Sequence, residues 1–422
     1  MGDTGPDVGA GMYRRPGRHR EYRGERLEFI VATGIECSAP KIAGGIRRDQ
    51  LELTGHRERF AEDFAILADM GITHLRYGVP FHLVARNDRE LDWTWTDAAL
   101  MALREQHLEP IVDLLHFGVP DGLTGFGDPA LPARFVSYAA AFADRYPWVR
   151  WYTPVNEPFI TALFSARNGW WNEMATTNRS FVRALDNTVT CAIEGMRVIR
   201  QRRSDAIFLQ SDACMGYRAL DPANPRSQQW ATFLQERSWL GFDLTYGRRV
   251  SSRMRTWLRG SGMSPERLRW LESNGNDDNC IVGLDYYEGN ERLVAEDGAA
   301  TTADRLGFGV LAREVHARYG LPVMLAETNN ASDRAVEWLT EVWNDSIELA
   351  EEGLAFRGFC WYSLTDQVDW DTCMREANDR INSFGLVDLS RRRRPVGDVY
   401  AELAKSAAAG MLTYLPTDRV AA

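Results

Sequence analysis

The chain has 422 residues, of which 45% are apolar and 26% charged, the composition of an ordinary globular protein with a large core. Its formal net charge of −10 repels phosphate backbones and anionic lipids, so neither nucleic acid nor a membrane is an expected partner. No run reaches the ~18 apolar residues of a membrane span, and the polar N-terminus lacks the apolar segment of a signal peptide.

The six cysteines are scattered along the chain. They form no Cys-x-x-Cys pair and have no histidine partners at metal-site spacing, so the pattern predicts neither a zinc site nor a disulfide framework. Small buried thiols in a reducing compartment explain them best, and we expect a cytoplasmic protein without a bound metal or cofactor. Their positions are 37, 191, 214, 280, 360 and 373.

Strand-like and helix-like segments alternate along most of the chain. Residues 1–26 are polar and predict a disordered tail, and residues 416–422 predict a flexible C-terminus. Between these tails lie eight short apolar runs with β character, at residues 29–34, 73–78, 109–116, 149–157, 206–212, 280–287, 322–327 and 356–364. Amphipathic helical patterns separate them, at residues 57–71, 96–106, 133–146, 179–203, 307–320 and 335–353, with helical excursions expected in the region 240–280.

Eight repeats of strand then helix, with strands apolar on both faces, predict a parallel sheet closed into a single (β/α)8 TIM barrel. We expect one α/β domain over residues 27–415. In this fold the catalytic side chains project from the C-terminal ends of the strands. The residues at strand ends are therefore the candidates for a functional site.

Two glutamates end strands that otherwise have no use for a charge. Glu157 closes the fourth strand in WYTPVNEP, and Glu327 closes the seventh in PVMLAE. Burying carboxylates is costly without partners, and Arg76 and Tyr287 stand at other strand ends where they could compensate. A carboxylate paired with a cation can act as a nucleophile, whereas one in a less polar place has a raised pKa and can act as an acid. Glycoside hydrolysis needs this division of labour.

The remaining strand ends are polar, aromatic and rich in carboxylates. Each residue there also has a structural interpretation, because a histidine that ends an apolar run is usually a core residue and acids at strand ends often cap helices. We take as candidate substrate-binding residues Asn156, His116, Asp369, Trp370, Glu36, Asp285 and Trp361.

The motifs at these strand ends resemble those of glycoside hydrolase family one, the β-glucosidase and β-galactosidase family of the clan-A barrels. WYTPVNEP is similar to the family's Thr-x-Asn-Glu-Pro segment, and LPVMLAETNN stands where the family has Thr-Glu-Asn-Gly. EPIVDLLHFGVP resembles a segment ending in His-Trp-Asp-Leu-Pro, VGLDYY resembles Gly-Ile-Asn-Tyr-Tyr, and GFCWYSLTDQVDW resembles one ending in Asn-Phe-Glu-Trp. The likeness runs in register over residues 28–400.

The resemblance implies a retaining β-glycoside hydrolase that acts by double displacement on a small-molecule glycoside. Glu157 would be the acid/base and Glu327 the nucleophile, with Arg76 and Tyr287 orienting it. The implied sugar ligands are Asn156, at the 2-hydroxyl, and His116, Asp369 and Trp370, around the non-reducing-end sugar.

The sequence differs from the family pattern at positions that the resemblance places around the sugar. Glu36 stands at or near the place of a strand-one glutamine, Asp285 replaces an asparagine, and Asp369 replaces a glutamate. We therefore expect an unusual sugar or an unusual aglycone, whose identities the sequence leaves open together with the oligomeric state. Two alternatives remain: a transglycosidase or an enzyme that processes a glycosylated metabolite on the same barrel, and a sugar-binding pseudoenzyme without turnover.

Overall fold

The computed structural model describes residues 29–86 and 90–416. Eight parallel strands, numbered β1 to β8 here, close into a barrel in which each strand pairs with its sequence neighbours and β8 pairs with β1. Their bounds are β1 Ile30–Ile35, β2 His74–Gly78, β3 Glu109–Asp113, β4 Trp151–Thr153, β5 Ile207–Ala213, β6 Cys280–Asp285, β7 Val323–Glu327 and β8 Phe356–Trp361. The eight predicted strands and the predicted TIM barrel are confirmed.

Fourteen α-helices occur in the described part of the chain. Each of the six helical segments predicted from periodicity coincides with one of them, and the region 240–280 contributes three more, α9 to α11. Their bounds are α1 Gln50–Leu53, α2 His56–Asp69, α3 Phe81–Val84, α4 Thr94–Glu105, α5 Leu131–Arg145, α6 Pro158–Ala166, α7 Asn178–Arg202, α8 Pro225–Ser238, α9 Leu240–Thr245, α10 Ser252–Gly260, α11 Pro265–Asn274, α12 Phe308–Tyr319, α13 Ala335–Glu351 and α14 Pro395–Ala408.

Short strands outside the barrel were not predicted from the sequence. Gly216–Ala219, Glu291–Val294 and Ala300–Thr302 form a three-stranded sheet, from segments that sequence patterns leave as long connections. Two small ladders pair Lys41–Ile42 with Ile46–Arg47 and Gln367–Val368 with Ile381–Asn382. Runs of two to four residues are too short to show a period, so no pattern marks them.

Side chains of the barrel strands alternate between two apolar layers, one inside the barrel and one between the strands and the helices. Toward the C-terminal ends of the strands the inward positions become polar, and their side chains meet one another. These polar residues are Arg76 on β2, Asp113 on β3, Ser211 on β5 and Asp285 on β6. The inner apolar layer, on which this polar layer rests, consists of Ile30, Ala32, Ile111, Trp151, Ile207, Leu209, Ile281, Met324, Ala326 and Cys360.

The two predicted tails, residues 1–26 and 416–422, lie outside the described residues except for residue 416. Of the helices that the structure describes, none combines the length and apolar character needed to cross a bilayer. That residues 27–415 form one domain stays a prediction.

The closure of the barrel between β8 and β1 requires glycine at position 358. Gly358 has φ +153°, and a Cβ there would lie 2.2 Å from the backbone oxygen of Ile30. We expect Gly358→Ala to lower the free energy of unfolding by roughly 2–4 kcal/mol, measured by urea denaturation. Gly353→Ala is the control, because its φ is +81° but nothing lies within 4 Å, and it should lose only about 1 kcal/mol. Equal losses in the two variants would contradict this account.

Candidate active site

The buried guanidinium of Arg76 connects the side chains at the C-terminal mouth of the barrel. Its Nη1 donates to Glu327 Oε1 at 2.7 Å, and its Nη2 donates to Asp113 Oδ2 at 2.9 Å and to Asn156 Oδ1 at 2.8 Å. Burial alone would lower the pKa of Arg76, but the charges of Asp113 and Glu327 raise it well above its usual value. The site therefore contains a permanent positive charge shared among residues from four strand ends.

A β-bulge directs Glu327 into the mouth of the barrel. Leu325 and Glu327 pair with the consecutive residues Leu284 and Asp285 of β6, so Ala326 is an extra residue in β7. Ala326 belongs to the inner layer, and regular alternation would turn the next side chain toward the helices. Bulges beside active sites commonly re-aim a side chain in this way.

Both oxygens of Glu327 accept hydrogen bonds. Oε1 is bound by Arg76, and the hydroxyl of Tyr287 donates to Oε2 at 2.7 Å. Burial, with the charge of Glu327 next in importance, raises the pKa of Tyr287 well above its usual value, so this phenol keeps its proton and remains a donor. Glu327 is therefore a carboxylate stabilised by one cation and one neutral donor.

Glu157 occupies a strained position between β4 and α6. Its φ and ψ are +42° and +67°, a left-handed conformation that is uncommon for a residue other than glycine, and Pro158 starts the helix directly after it. Its backbone N–H donates to the carbonyl of Ser211 at 3.1 Å, which ties this corner to β5. Such conformations concentrate at functional sites, where the surrounding structure holds them in place.

The carboxyl of Glu157 has the opposite surroundings to that of Glu327. It is 8% exposed, and within residues 29–86 and 90–416 no group donates a hydrogen bond to it. Burial, followed by the negative charges of Glu327 and Asp212, raises the pKa of Glu157 well above its usual value. Glu157 thus tends to hold a proton close to an ionised neighbour.

Asn156, His116 and Asp113 form a hydrogen-bonded chain behind the two glutamates. Asn156 Oδ1 accepts from Arg76 and from Ser211 Oγ, which leaves its amide nitrogen to donate to His116 Nε2 at 3.2 Å. The imidazole proton then lies on Nδ1, 3.1 Å from Asp113 Oδ2. Asp113 and Ser211 were not predicted as site residues, although Asp113 follows Ile111 by two residues and so shares its inward direction.

Aromatic rings line one side of the site in a continuous row. Tyr362 stacks on His116 at 6.0 Å between ring centroids, and His116 contacts Phe117 at 4.7 Å. The row continues from Phe117 to Trp171 at 4.8 Å and from Trp171 to Trp370 at 6.1 Å. The structure thus brings the predicted residues His116 and Trp370 into one wall, which suits the apolar faces of a sugar ring.

The predicted residues Glu36 and Asp285 also lie in this region. Glu36 Oε1 accepts from the backbone N–H of Ser38 at 2.8 Å, while both oxygens of Asp285 are buried without a hydrogen bond, 3.6 Å or more from Arg76. Burial raises the pKa of each carboxyl, and the charge of Glu327 raises both further. Both carboxyls therefore lie within the electrostatic reach of the catalytic candidates.

One grouping of possible metal ligands appears at the site. Donor atoms of Cys37, Asp113 and His116 lie within 4.8 Å of one another, which the sequence spacing did not reveal. Arg76 already provides a positive charge at Asp113, at 2.9 Å, and this disfavours a second cation there.

No protein-family model matches the chain. It is 20% identical over 412 residues to aryl-phospho-beta-D-glucosidase BglC of Bacillus subtilis, covering 82% of this chain and 83% of that one. It is also 21% identical over 381 residues to lactase/phlorizin hydrolase of Rattus norvegicus, covering 75% of this chain but spanning only 20% of that protein's length.

Solved structures agree with these sequence matches. A family 1 β-glucosidase from Thermotoga maritima has a TM-score of 0.76 at 15% identity, covering 90% of this chain and 97% of its own. The β-glucosidase from the same organism in complex with deoxynojirimycin has a TM-score of 0.77 at 16% identity, covering 91% and 98%. The chain thus has the fold of family 1 β-glucosidases and is similar in sequence, at 20–21% identity, to an aryl-phospho-beta-D-glucosidase and a lactase/phlorizin hydrolase.

Two of the predicted substrate-binding residues, Asp369 and Trp361, have structural partners. Asp369 is wholly buried: Oδ2 accepts from Arg48 Nη2 at 2.6 Å and Oδ1 from the backbone N–H of Arg380 at 2.9 Å, so it organises the loop after β8. Trp361 packs in the outer layer and donates to the carbonyl of Phe384. Because Cys360 faces the inside of the barrel, alternation along the strand makes Tyr362 the next inward-facing residue. Tyr362 was not predicted as a site residue.

Removing the Arg76 charge should destabilise the fold. Arg76→Met would leave Asp113 and Glu327 buried without their cation, and we expect the free energy of unfolding at pH 7 to fall by roughly 3–5 kcal/mol in urea denaturation. The loss should shrink as the pH falls, because protonated carboxyls no longer need the cation. Arg269→Met is the control, since its ion pair with Glu266 is exposed and should matter by less than about 1 kcal/mol. A loss as small as the control's would contradict this role.

Proposed function

We propose that this protein hydrolyses β-linked glycosides with retention of anomeric configuration, using Glu327 as nucleophile and Glu157 as acid/base. The observation that carries the proposal is the contrast between the two carboxyls. Glu327 is held by Arg76 and Tyr287, whereas Glu157 receives no donor from the described residues and has a raised pKa. The kinship with family 1 glycoside hydrolases supports the same assignment.

In the first step a carboxylate oxygen of Glu327 bonds to the anomeric carbon while the bond from that carbon to the aglycone oxygen breaks. Glu157 transfers its proton to the departing oxygen, so the aglycone leaves as a neutral alcohol and Glu157 becomes ionised. Arg76 and Tyr287 hold the nucleophile in place without protonating it, because both have pKa values raised well above neutrality. The product is a glycosyl ester of Glu327.

In the second step the roles reverse. Glu157, now a carboxylate, takes a proton from a water molecule whose oxygen attacks the anomeric carbon and releases Glu327. The negative charge of Glu327 is one of the causes that raise the pKa of Glu157, and the ester removes that charge. The pKa of Glu157 therefore falls when it must become a base and rises again when the ester is hydrolysed.

The row of rings from Tyr362 to Trp370 supports a sugar as the substrate class. Trp370 at the end of the row is only half-buried and can stack on the apolar face of a sugar ring, while the two glutamates act at its anomeric carbon. We propose a β-linked small-molecule glycoside of the glucoside or galactoside type as the substrate.

Azide should rescue the activity of a variant that lacks either carboxyl, and the configuration of the product should differ between the two variants. Glu327→Gly should lower kcat by about 10⁴-fold or more on a 4-nitrophenyl β-glycoside, and azide should restore turnover as an α-glycosyl azide, because azide replaces the nucleophile. Glu157→Gly should give the β-glycosyl azide instead, because azide then attacks the glycosyl ester. Proton NMR of the products distinguishes the two. Identical product configurations, or no rescue across a broad panel of glycosides, would contradict the assignment.

The pH dependence should report the proton on Glu157. Because Glu157 must be protonated in the first step, kcat/KM should be high below its raised pKa and should fall as the pH rises through it. Glu157→Gln should abolish this limb on a substrate with a good leaving group. Glu109→Gln is the control, since burial also raises the pKa of Glu109, which lies at the opposite end of the barrel, and the limb should remain. A limb that survives in Glu157→Gln would contradict the acid role.

A further inference from the structure

We propose that the sugar accepted by this site carries a primary amine, protonated at neutral pH, and that Glu36 is the carboxylate that binds it. The inference rests on the proposed function, because it names the class of glycoside that the same cavity takes. It follows from a carboxyl that makes no ion pair with the described residues and lies beside the two proposed catalytic glutamates.

Glu36 has one unused oxygen in a nearly closed environment. The residue is 2% exposed, and Oε1 accepts a hydrogen bond from the backbone N–H of Ser38 at 2.8 Å. The described chain shows no second hydrogen bond to this carboxyl, and the neutral Ser38 hydroxyl, which has no other partner, lies beside it. The neighbouring Cys37 contacts the hydroxyl of Tyr362 at 3.7 Å, and Tyr362 stacks on His116, so Glu36 lies at the same end of the barrel as the two glutamates.

The positively charged and titratable groups around Glu36 are engaged elsewhere. Arg76 donates to Glu327, Asp113 and Asn156. His116 faces Asp113 through Nδ1 and accepts from Asn156 at Nε2. Tyr362, which also faces Glu36, donates its hydroxyl to the carbonyl of Ile35 at 3.2 Å. None of the three offers a free proton to Glu36.

Carboxyl groups outnumber basic side chains around the cavity, where Arg76 and His116 are both paired with Asp113. Besides Glu36, the carboxyls are Glu157, Glu327, Asp113 and Asp285, and both oxygens of Asp285 lack any hydrogen bond. A buried carboxylate without a cation is unfavourable, and a ligand that brings a cation removes that penalty. A hydroxyl can donate to Glu36 but leaves its charge uncompensated, so an ammonium group fits this position better.

The variant Glu36→Gln distinguishes a site that binds a sugar hydroxyl from one that binds an ammonium group. Glutamine keeps the length of the side chain and an oxygen that can accept from Ser38, and its amide can still bond a hydroxyl. It removes only the negative charge. A site built for a neutral sugar would tolerate this change, whereas a site built for an ammonium group would lose its preference.

Binding is measured by calorimetry on the full-length protein with methyl 1-thio-β-D-glucopyranoside, whose sulfur linkage resists hydrolysis. Four analogues carry one amino group in place of the hydroxyl at C2, C3, C4 or C6. We expect at least one of them to bind tenfold or more tightly than the parent at pH 6, with the gain reduced at 0.5 M salt. In Glu36→Gln the gain should disappear, so that no aminated analogue binds more tightly than the parent. A thermal melt confirms that this variant is folded.

The inference is overturned if the parent binds as tightly as every aminated analogue, or if the gain persists in Glu36→Gln. Because thioglycoside binding needs no turnover, this outcome is independent of the catalytic assignment. If the unmodified protein shows no preference for an aminated analogue and azide rescues Glu327→Gly normally, only the choice of sugar is overturned. A clear preference for an amine without azide rescue would instead overturn the catalytic role and leave the binding site standing.

Discussion

The site depends on one ion-pair network, the guanidinium of Arg76 between Asp113 and Glu327 at the centre of the barrel mouth. The guanidinium compensates buried carboxylates that would otherwise be unfavourable in the interior. It also fixes the oxygen of Asn156, and through that amide the proton of His116. The electrostatics of the proposed catalytic pair and the orientation of Asn156 and His116 therefore have a common origin. A lysine would be a poor replacement, because its ammonium is a compact point charge, whereas the planar guanidinium donates to Glu327 through one nitrogen and to Asp113 and Asn156 through the other.

A second property follows from the uneven distribution of the Arg76 charge among the carboxyls. Arg76 donates to Glu327, whereas among the described residues Glu157 and Glu36 make no ion pair and Asp285 lies 3.6 Å from Arg76 without a hydrogen bond. The two glutamates of one cavity therefore have different electrostatic surroundings, as an acid and a nucleophile would require. The same asymmetry leaves carboxyls in the cavity without a close cation, so the proposed preference for a cationic ligand has the same origin as the proposed division of roles.

Much of this arrangement could be predicted from the sequence, and the failures have identifiable causes. Strand and helix periodicity indicated all eight strands and the barrel, because buried parallel strands and amphipathic helices have strong patterns. The neighbours of Glu327 were predicted correctly, since Arg76 and Tyr287 are the donors at its oxygens. Tyr362 was missed because the aromatic pair Trp361–Tyr362 gives no sign in the sequence of which ring faces inward. The ion pair of Asp369 could not be predicted, because its partner Arg48 lies over 300 residues away in the chain.

The bulge at Ala326 has a consequence for how this site can be lost. The orientation of Glu327 depends on how β7 pairs with β6, in addition to the identity of the side chain. If Ala326 were paired regularly instead of bulged, the chain would keep a closed barrel, both glutamates and every recognisable motif, yet the carboxylate of Glu327 would point into the helical layer. Motif conservation among descendants of this fold is therefore a weaker guide to catalysis than the pairing register of one strand.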